Sequence, residues 1–325
     1  KGVVTGKKIG RCYVKAKIGK AAVSNLNRKE YDAFVKDHCS VFESFGICQR
    51  VTVGGFVGSI GSGLLSLPIT NCVNSGNITY ENLQENDPMH VWVAGFTGVC
   101  LASSTTTGYT PLIALTSCEN SGDITVKNTS VTGQLTVGGL GANVPYKSNN
   151  SYHAAYLMVD CINSGDILCE ECYSPVDLSV GGLLSASSNY EFGESTLKAP
   201  INTGNITVTN VTNANVEGSY IGGIIGKLNV NVSNAQCYAE IRAKGYTNVG
   251  WIMGAARSAN SKAVNCKVGG YIRVIDEEDE KEAILYITES DYFNYIYGNG
   301  INTDWSGTDN YDGCTVLTEK PVINL

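Results

Sequence analysis

A two-part phrase, V-G-G-φ-φ-G and then C-x-N-S-G-[ND]-I-x-V, recurs at a spacing of roughly 40 residues between positions 53 and 274. The first part reads Val53-Gly54-Gly55-Phe56-Val57-Gly58, Val93-Ala94-Gly95-Phe96-Thr97-Gly98, Val137-Gly138-Gly139-Leu140-Gly141, Val180-Gly181-Gly182-Leu183-Leu184, Ile221-Gly222-Gly223-Ile224-Ile225-Gly226 and Val249-Gly250-Trp251-Ile252-Met253-Gly254. The second part opens at Cys72, Cys118 and Cys161, changes to Pro200-Ile201-Asn202-Thr203-Gly204-Asn205-Ile206, reads as a contracted Cys237-Tyr238-Ala239-Glu240-Ile241, and ends at Cys266. A chain written this way is a repeat protein, and each unit buries its apolar face by stacking on the next.

After each Ser-Gly or Thr-Gly the residues alternate, as in Ile78-Thr79-Tyr80, Ile124-Thr125-Val126 and Ile206-Thr207-Val208, which is the period of a strand with one buried face. Asn-Ser-Gly before it supplies the residues a sharp bend needs. No helical period separates the strands, so the crossover helices of a doubly wound sheet are missing. The expected fold is all-β, a right-handed parallel β-helix with coils of about 40 residues. Both parities of the V-G-G strand carry apolar residues, so periodicity does not assign its inward face.

In parallel stacking like sits on like. Cys72, Cys118, Cys161, Cys237 and Cys266 are then expected as an internal column of free thiols, and Asn74, Asn120, Asn163 and Asn202 as an amide ladder at one bend. Three regions follow: residues 1–50, an N-terminal cap with a short helix near 27–38 and a degenerate first coil; 51–275, the repeats; and 276–325, an acidic and aromatic cap. The helix rests on the capping pattern Asn27-Arg28-Lys29-Glu30 with an apolar stripe behind it. Atypical ends are what a solenoid needs to close its stack.

With 43% hydrophobic and 16% charged residues and a net charge of −7, the chain reads as a folded, acidic β-protein. It lacks the basic footprint that nucleic acid demands, and no apolar run approaches the length of a membrane-spanning helix. His38, His90 and His153 have no ligand-spaced neighbours, so neither a metal nor a cofactor is expected. Cys169-Glu170-Glu171-Cys172 is a lone C-x-x-C whose offset of three puts its thiols on opposite faces of a strand. Gly222–Leu228 is one residue short of a phosphate-binding loop and has Leu228 where a hydroxyl belongs. Asp123 and Asp166 are bend residues, replaced by Asn77 and Asn205 in other repeats. No catalytic constellation emerges.

The doubled motif resembles the glycine-rich GLUG-type repeats of bacterial surface proteins, in particular the adhesin-like proteins of gut Bacteroidetes with parallel β-helix folds. The resemblance covers residues 51–274. It implies export to the cell surface and a non-enzymatic binding role, toward a glycan or a surface protein, carried by variable loops. The candidate loops are 59–70, 83–91, 101–115, 142–157 and 185–198, with Tyr109, Tyr146, Tyr152, Tyr156 and Tyr190 as sugar-stacking rings. The other candidate ligand site is the aromatic segment near the C-terminus, Tyr292, Tyr295, Tyr297 and Trp305. The competing readings are a carbohydrate-active lyase or hydrolase, which should present a groove lined by two or more carboxylates, and a plain stalk.

Overall fold

In a computed structural model the described residues are 17–18, 21–22, 50–62, 66–82, 88–102, 112–143, 155–185, 195–209, 219–228, 230–244, 248–256, 261–275, 282–286, 297–300 and 313–323. Every regular element among them is a strand. The helix expected near 27–38, the acidic run Asp276–Glu280, Tyr292, Tyr295 and Trp305 lie outside the described residues. The chain divides into two compact units, Lys1–Cys48 and Gln49–Leu325. In the first, Lys17–Ile18 pairs antiparallel with Ala21–Ala22.

In the second unit successive repeats send strands to the same sheets, where each pairs in parallel with its counterpart in the next repeat. The V-G-G strands Arg50–Gly54, His90–Ala94, Gln134–Gly138, Asp177–Gly181, Ser219–Gly222 and Asn248–Gly250 form one six-stranded sheet. The strands just before the cysteine phase, from Ser66–Thr70 to Lys262–Val264, form another. The N-S-G-[ND]-I segments form the third and largest. Strands after the glycine pair, such as Val57–Ser62 and Thr97–Ala102, build two further three-stranded sheets, bridged by Leu184 to Gly141 and Ile225.

This second layer explains the ambiguous V-G-G strand. Val91 and Val93 join the main core, while Trp92 and Ala94 on the opposite face pack with Val99 and Ala142 in a separate apolar cluster. A sheet covered on both faces carries apolar residues at both parities.

The corner before the third sheet is a column of left-handed residues: Asn71 (φ 53°), Ser117 (51°), Asp160 (51°), Ala199 (47°), Asn234 (55°), Asn265 (53°) and Gly313 (69°). Small and Asx side chains tolerate this conformation and β-branched ones do not, which accounts for the residue types found there. Directly after it, backbone bonds from Glu119, Ile162, Ile201, Gln236, Lys267 and Thr315 run to the carbonyls of Cys72, Cys118, Cys161, Pro200, Ala235 and Cys266. These carbonyls define the cysteine phase. Cys118, Cys161 and Cys266 are buried in it as free thiols, and Cys72 is half-buried in the first repeat.

Cys237 does not belong to this column. It pairs in register with Asn202, so it stands in the line of the asparagines, and Ala235 fills the cysteine phase of its repeat. The Cys237–Ile241 phrase is therefore not contracted: Cys237 matches Asn202 and Ile241 matches Ile206. The thiol can take the amide's place because both fit the space left by a glycine, Gly223 beside Cys237 and Gly182 beside Asn202.

The C-x-x-C expectation also changes. Glu171 adopts φ 51°, and the kink breaks the alternation of the strand Ile167–Tyr173. Cys169 and Cys172 both turn inward and are buried. Burial pushes the Cys172 thiol up to about 12.

Candidate functional site

The residue after each Ser-Gly or Thr-Gly faces outward on the largest sheet, where the parallel register stacks Asn77, Asp123, Asp166, Asn205 and Glu240. Adjacent strands lie about 4.8 Å apart, so these groups form a closely spaced row. Each Asx side chain holds the backbone of the next repeat. The amide N–H of Asp123 donates to Asn77 Oδ1 at 3.0 Å, that of Asp166 to Asp123 Oδ1 at 3.0 Å, that of Asn205 to Asp166 Oδ1 at 2.8 Å and that of Glu240 to Asn205 Oδ1 at 3.0 Å. The sequence identified Asp123 and Asp166 as bend residues; in the structure they stitch repeat to repeat. Asn and Asp alternate freely because only an oxygen acceptor is required.

Beside this row runs a second outward row, Thr125, Leu168, Thr207 and Arg242. Between the two lies an open groove of about 310 Å³ that spans four repeats and is lined by Asp123, Asp166, Asn205, Thr207, Glu240 and Arg242, among others. Arg242 Nε lies 3.5 Å from Glu240 Oε1 in a partly exposed pair, which contributes little to stability. Tyr271, in register with Glu240, has its phenol raised above the ordinary value by its hydrogen bond to the Glu240 carboxylate. The second oxygens of Asp123 and Asp166, the threonine hydroxyls and the guanidinium offer acceptors and donors periodically along this shallow groove. Such a surface suits an extended polar ligand.

A buried ion pair lies elsewhere, between the V-G-G sheet and the layer covering it. Lys227 Nζ is 3.0 Å from Asp177 Oδ1, with side chains only 3% and 5% exposed, and it stands 3.9 Å from the centroid of the Tyr220 ring. Lys227 follows the glycines that resembled a phosphate loop, but its partner is internal. His90 packs too, its ring 5.5 Å from that of Trp92 at an interplanar angle of 9°, with Nδ1 accepting the Gln134 N–H at 3.2 Å.

The expected ligand residues fare unevenly. Tyr156 is a correction: it is fully buried, its hydroxyl 2.9 Å from Thr97 Oγ1, because Ala155–Val159 is a strand whose alternate residues face the core. Much of the 59–70 loop is likewise strand, in Val57–Ser62 and Ser66–Thr70. Tyr109, Tyr146, Tyr152 and Tyr190 lie outside the described residues, as do Tyr292, Tyr295 and Trp305. Tyr297 begins the strand Tyr297–Gly300, which pairs in parallel with Met253–Ala256. The repeat phrase does not reveal the groove, although Asp123, Asp166 and Asn205 in its lining are the variable [ND] of that phrase. Comparison with protein-family models, with curated proteins and with solved structures finds no match to this chain.

Proposed function

We propose that the repeats wind as a right-handed parallel β-helix and that the chain is a non-enzymatic, cell-surface binding protein whose ligand is an extended glycan laid along the outward groove. The observation that carries this reading is the groove across four repeats, lined by a periodic row of Asx oxygens beside threonines and an arginine. A repeating surface can meet a repeating polymer at several equivalent points, and weak contacts add when they are made together. The test is a glycan array probed with the whole chain and with Thr207→Arg, which fills the groove without touching the Asx row. Binding by the natural chain that Thr207→Arg removes at unchanged Tm is expected. No binding to any glycan, or binding that the filled groove leaves intact, sinks the proposal.

One observation favours the enzyme reading: the groove holds three carboxylates, Asp123, Asp166 and Glu240. Asp123 and Asp166 stand on neighbouring strands, at a spacing of about 4.8 Å close to that of retaining glycosidase pairs. Against it, Asp123 Oδ1 and Asp166 Oδ1 each hold a backbone N–H, and asparagine does the same work at positions 77 and 205. Asp166→Asn keeps that acceptor. Polysaccharide cleavage by the natural chain that Asp166→Asn abolishes, with the fold intact, establishes the enzyme; absence of cleavage with retained binding establishes the binder.

A further inference from the structure

The cysteine column does not stop at Cys266. Thr315–Val316 pairs in parallel with Lys267–Val268, and the Thr315 N–H donates to the Cys266 carbonyl at 2.9 Å. Cys314 therefore stands on Cys266 in the same phase. Its Sγ donates to the Ala263 carbonyl, three residues before Cys266, at 3.5 Å. Cys118 and Cys161 make the same contact to Ile69 and Leu115, three residues before Cys72 and Cys118, at 3.4 and 3.3 Å. Gly313, with φ 69°, repeats the left-handed corner. The segment 313–316 is thus one more degenerate repeat, hidden in a region that reads from its sequence as a terminal cap.

We propose that Cys266 and Cys314 are an oxidisable pair whose disulfide fastens the strand Thr315–Val316 to the repeat before it.

Neighbouring strands about 4.8 Å apart lie inside the range of roughly 4.4–6.8 Å between Cα atoms that a disulfide spans. The other thiols of the column are less free to close the remaining distance between side chains. Cys118 and Cys161 precede strands that pair on both sides, in repeats whose longer strands are paired as well. Cys72 belongs to a repeat locked by four longer strands, at Arg50–Gly54, Val57–Ser62, Ser66–Thr70 and Ile78–Glu81. Cys314, by contrast, is half-exposed, and among the described residues the exposed Thr315 and Val316 that follow it pair on one side only. On its other side Cys266 faces Ala235, so no second thiol of the column competes for it. Its own thiol is raised by the contact with Cys314 and then by burial, which leaves the more exposed Cys314 to react first.

The oxidant is a small soluble disulfide such as oxidised glutathione. The Cys314 thiolate attacks one of its sulfurs and releases one glutathione thiolate, forming a mixed disulfide. Cys266 then gives up its proton, attacks Cys314 Sγ and expels the second glutathione. Two protein thiols are oxidised and one external disulfide is reduced to two thiols.

The experiment treats the whole reduced chain with oxidised glutathione, blocks remaining thiols under denaturing conditions and maps tryptic peptides. The expected result is residues 263–267 joined to the peptide holding Cys314, with a Tm that rises on oxidation and falls again with dithiothreitol. Cys314→Ser, at a half-exposed position, should fold and lose both the linked peptide and the redox response of Tm. Absence of the linked peptide at every glutathione ratio, or Cys314 joined to any other cysteine, overturns the proposal. So does a redox-dependent Tm that persists in Cys314→Ser.

Discussion

A Cβ built on Gly139 would lie 2.7 Å from Cγ of Asn163 and 2.0 Å from the Gly182 carbonyl oxygen, so the second glycine of one half of the repeated phrase is bare because the asparagine of the other half and the backbone of the next repeat fill its space. The same relation joins Gly55 to Asn74, Gly95 to Asn120 and Gly182 to Asn202. The two halves of the phrase are thus packed against each other in every one of these repeats. In the sixth repeat Trp251 replaces that glycine, and Val268 stands in the asparagine line in register with Cys237.

The asparagine line is a continuous hydrogen-bonded ladder, with Nδ2 of Asn74, Asn120 and Asn163 donating to Oδ1 of Asn120, Asn163 and Asn202 at 2.7, 2.8 and 2.9 Å. Each Nδ2 also donates to the carbonyl two residues on, as Asn163 does to Gly165 at 2.9 Å. Asn163→Ala removes two donated bonds and the acceptor of Asn120 inside a dry core, and should cost about 2–4 kcal/mol in urea unfolding. Asn74→Ala, at the half-exposed start of the ladder, should cost less than half as much. Equal losses at the two sites would show that the ladder carries no burial-dependent energy.

The glycine of Asn-Ser-Gly makes a sharper contrast. A Cβ on Gly165 would meet the Gly122 carbonyl oxygen at 2.1 Å, whereas on Gly76, in the first repeat, its nearest neighbour is Asn74 Oδ1 at 3.7 Å. Gly165→Ala should cost about 3 kcal/mol or more by forcing strands apart, and Gly76→Ala should stay within about 0.5 kcal/mol. Thermal melts of the two variants decide this directly.

The repeat phrase made the parallel sheets, the thiol column and the amide ladder legible, because a shared phase forces a shared position. Composition at one phase misled only where a different residue took the place of the marker. Cys237 drew the fifth repeat two positions out of register, since Ala235 carries no signal, and Cys314 hid a further turn inside Gly313-Cys314-Thr315-Val316. The covering layer on the V-G-G sheet was illegible for another reason. Period-2 reading assigns one face to the core, and here both faces are core, so apolar residues at both parities give no inward face. The groove was legible as residues but not as a surface, because register alone does not show which outward rows leave space between them.

The buried pair of Lys227 and Asp177 should behave as a unit. Lys227→Met takes the ammonium away from a carboxylate with about 5% of its side chain exposed, and from the face of Tyr220. The expected loss is about 3–5 kcal/mol. Asp177→Asn combined with Lys227→Met should recover a large part of it, since no buried charge remains. A double-mutant cycle by denaturant unfolding measures the coupling, and additive losses would mean that the two groups are stabilised separately.

Alkaline pH should unfold this protein through its buried thiols. Burial holds Cys237 and Cys172 protonated up to about 12. In the unfolded chain a thiol ionises near 8.5. Below that value both states carry the proton and the burial of the neutral thiol contributes in full. Above it the unfolded chain releases protons that the folded chain retains, so stability falls as pH rises from about 8.5 toward 12, by at most roughly 5 kcal/mol per thiol. Cys237→Ala removes one such group at some cost in packing, and its stability should decline less steeply between about pH 8 and 10.5 than that of the natural chain. Urea midpoints taken across this range under reducing conditions read the slope. An unchanged slope in Cys237→Ala would mean that this thiol already ionises in the folded state, against the packing of Cys237 under Gly223 in the dry line of the ladder.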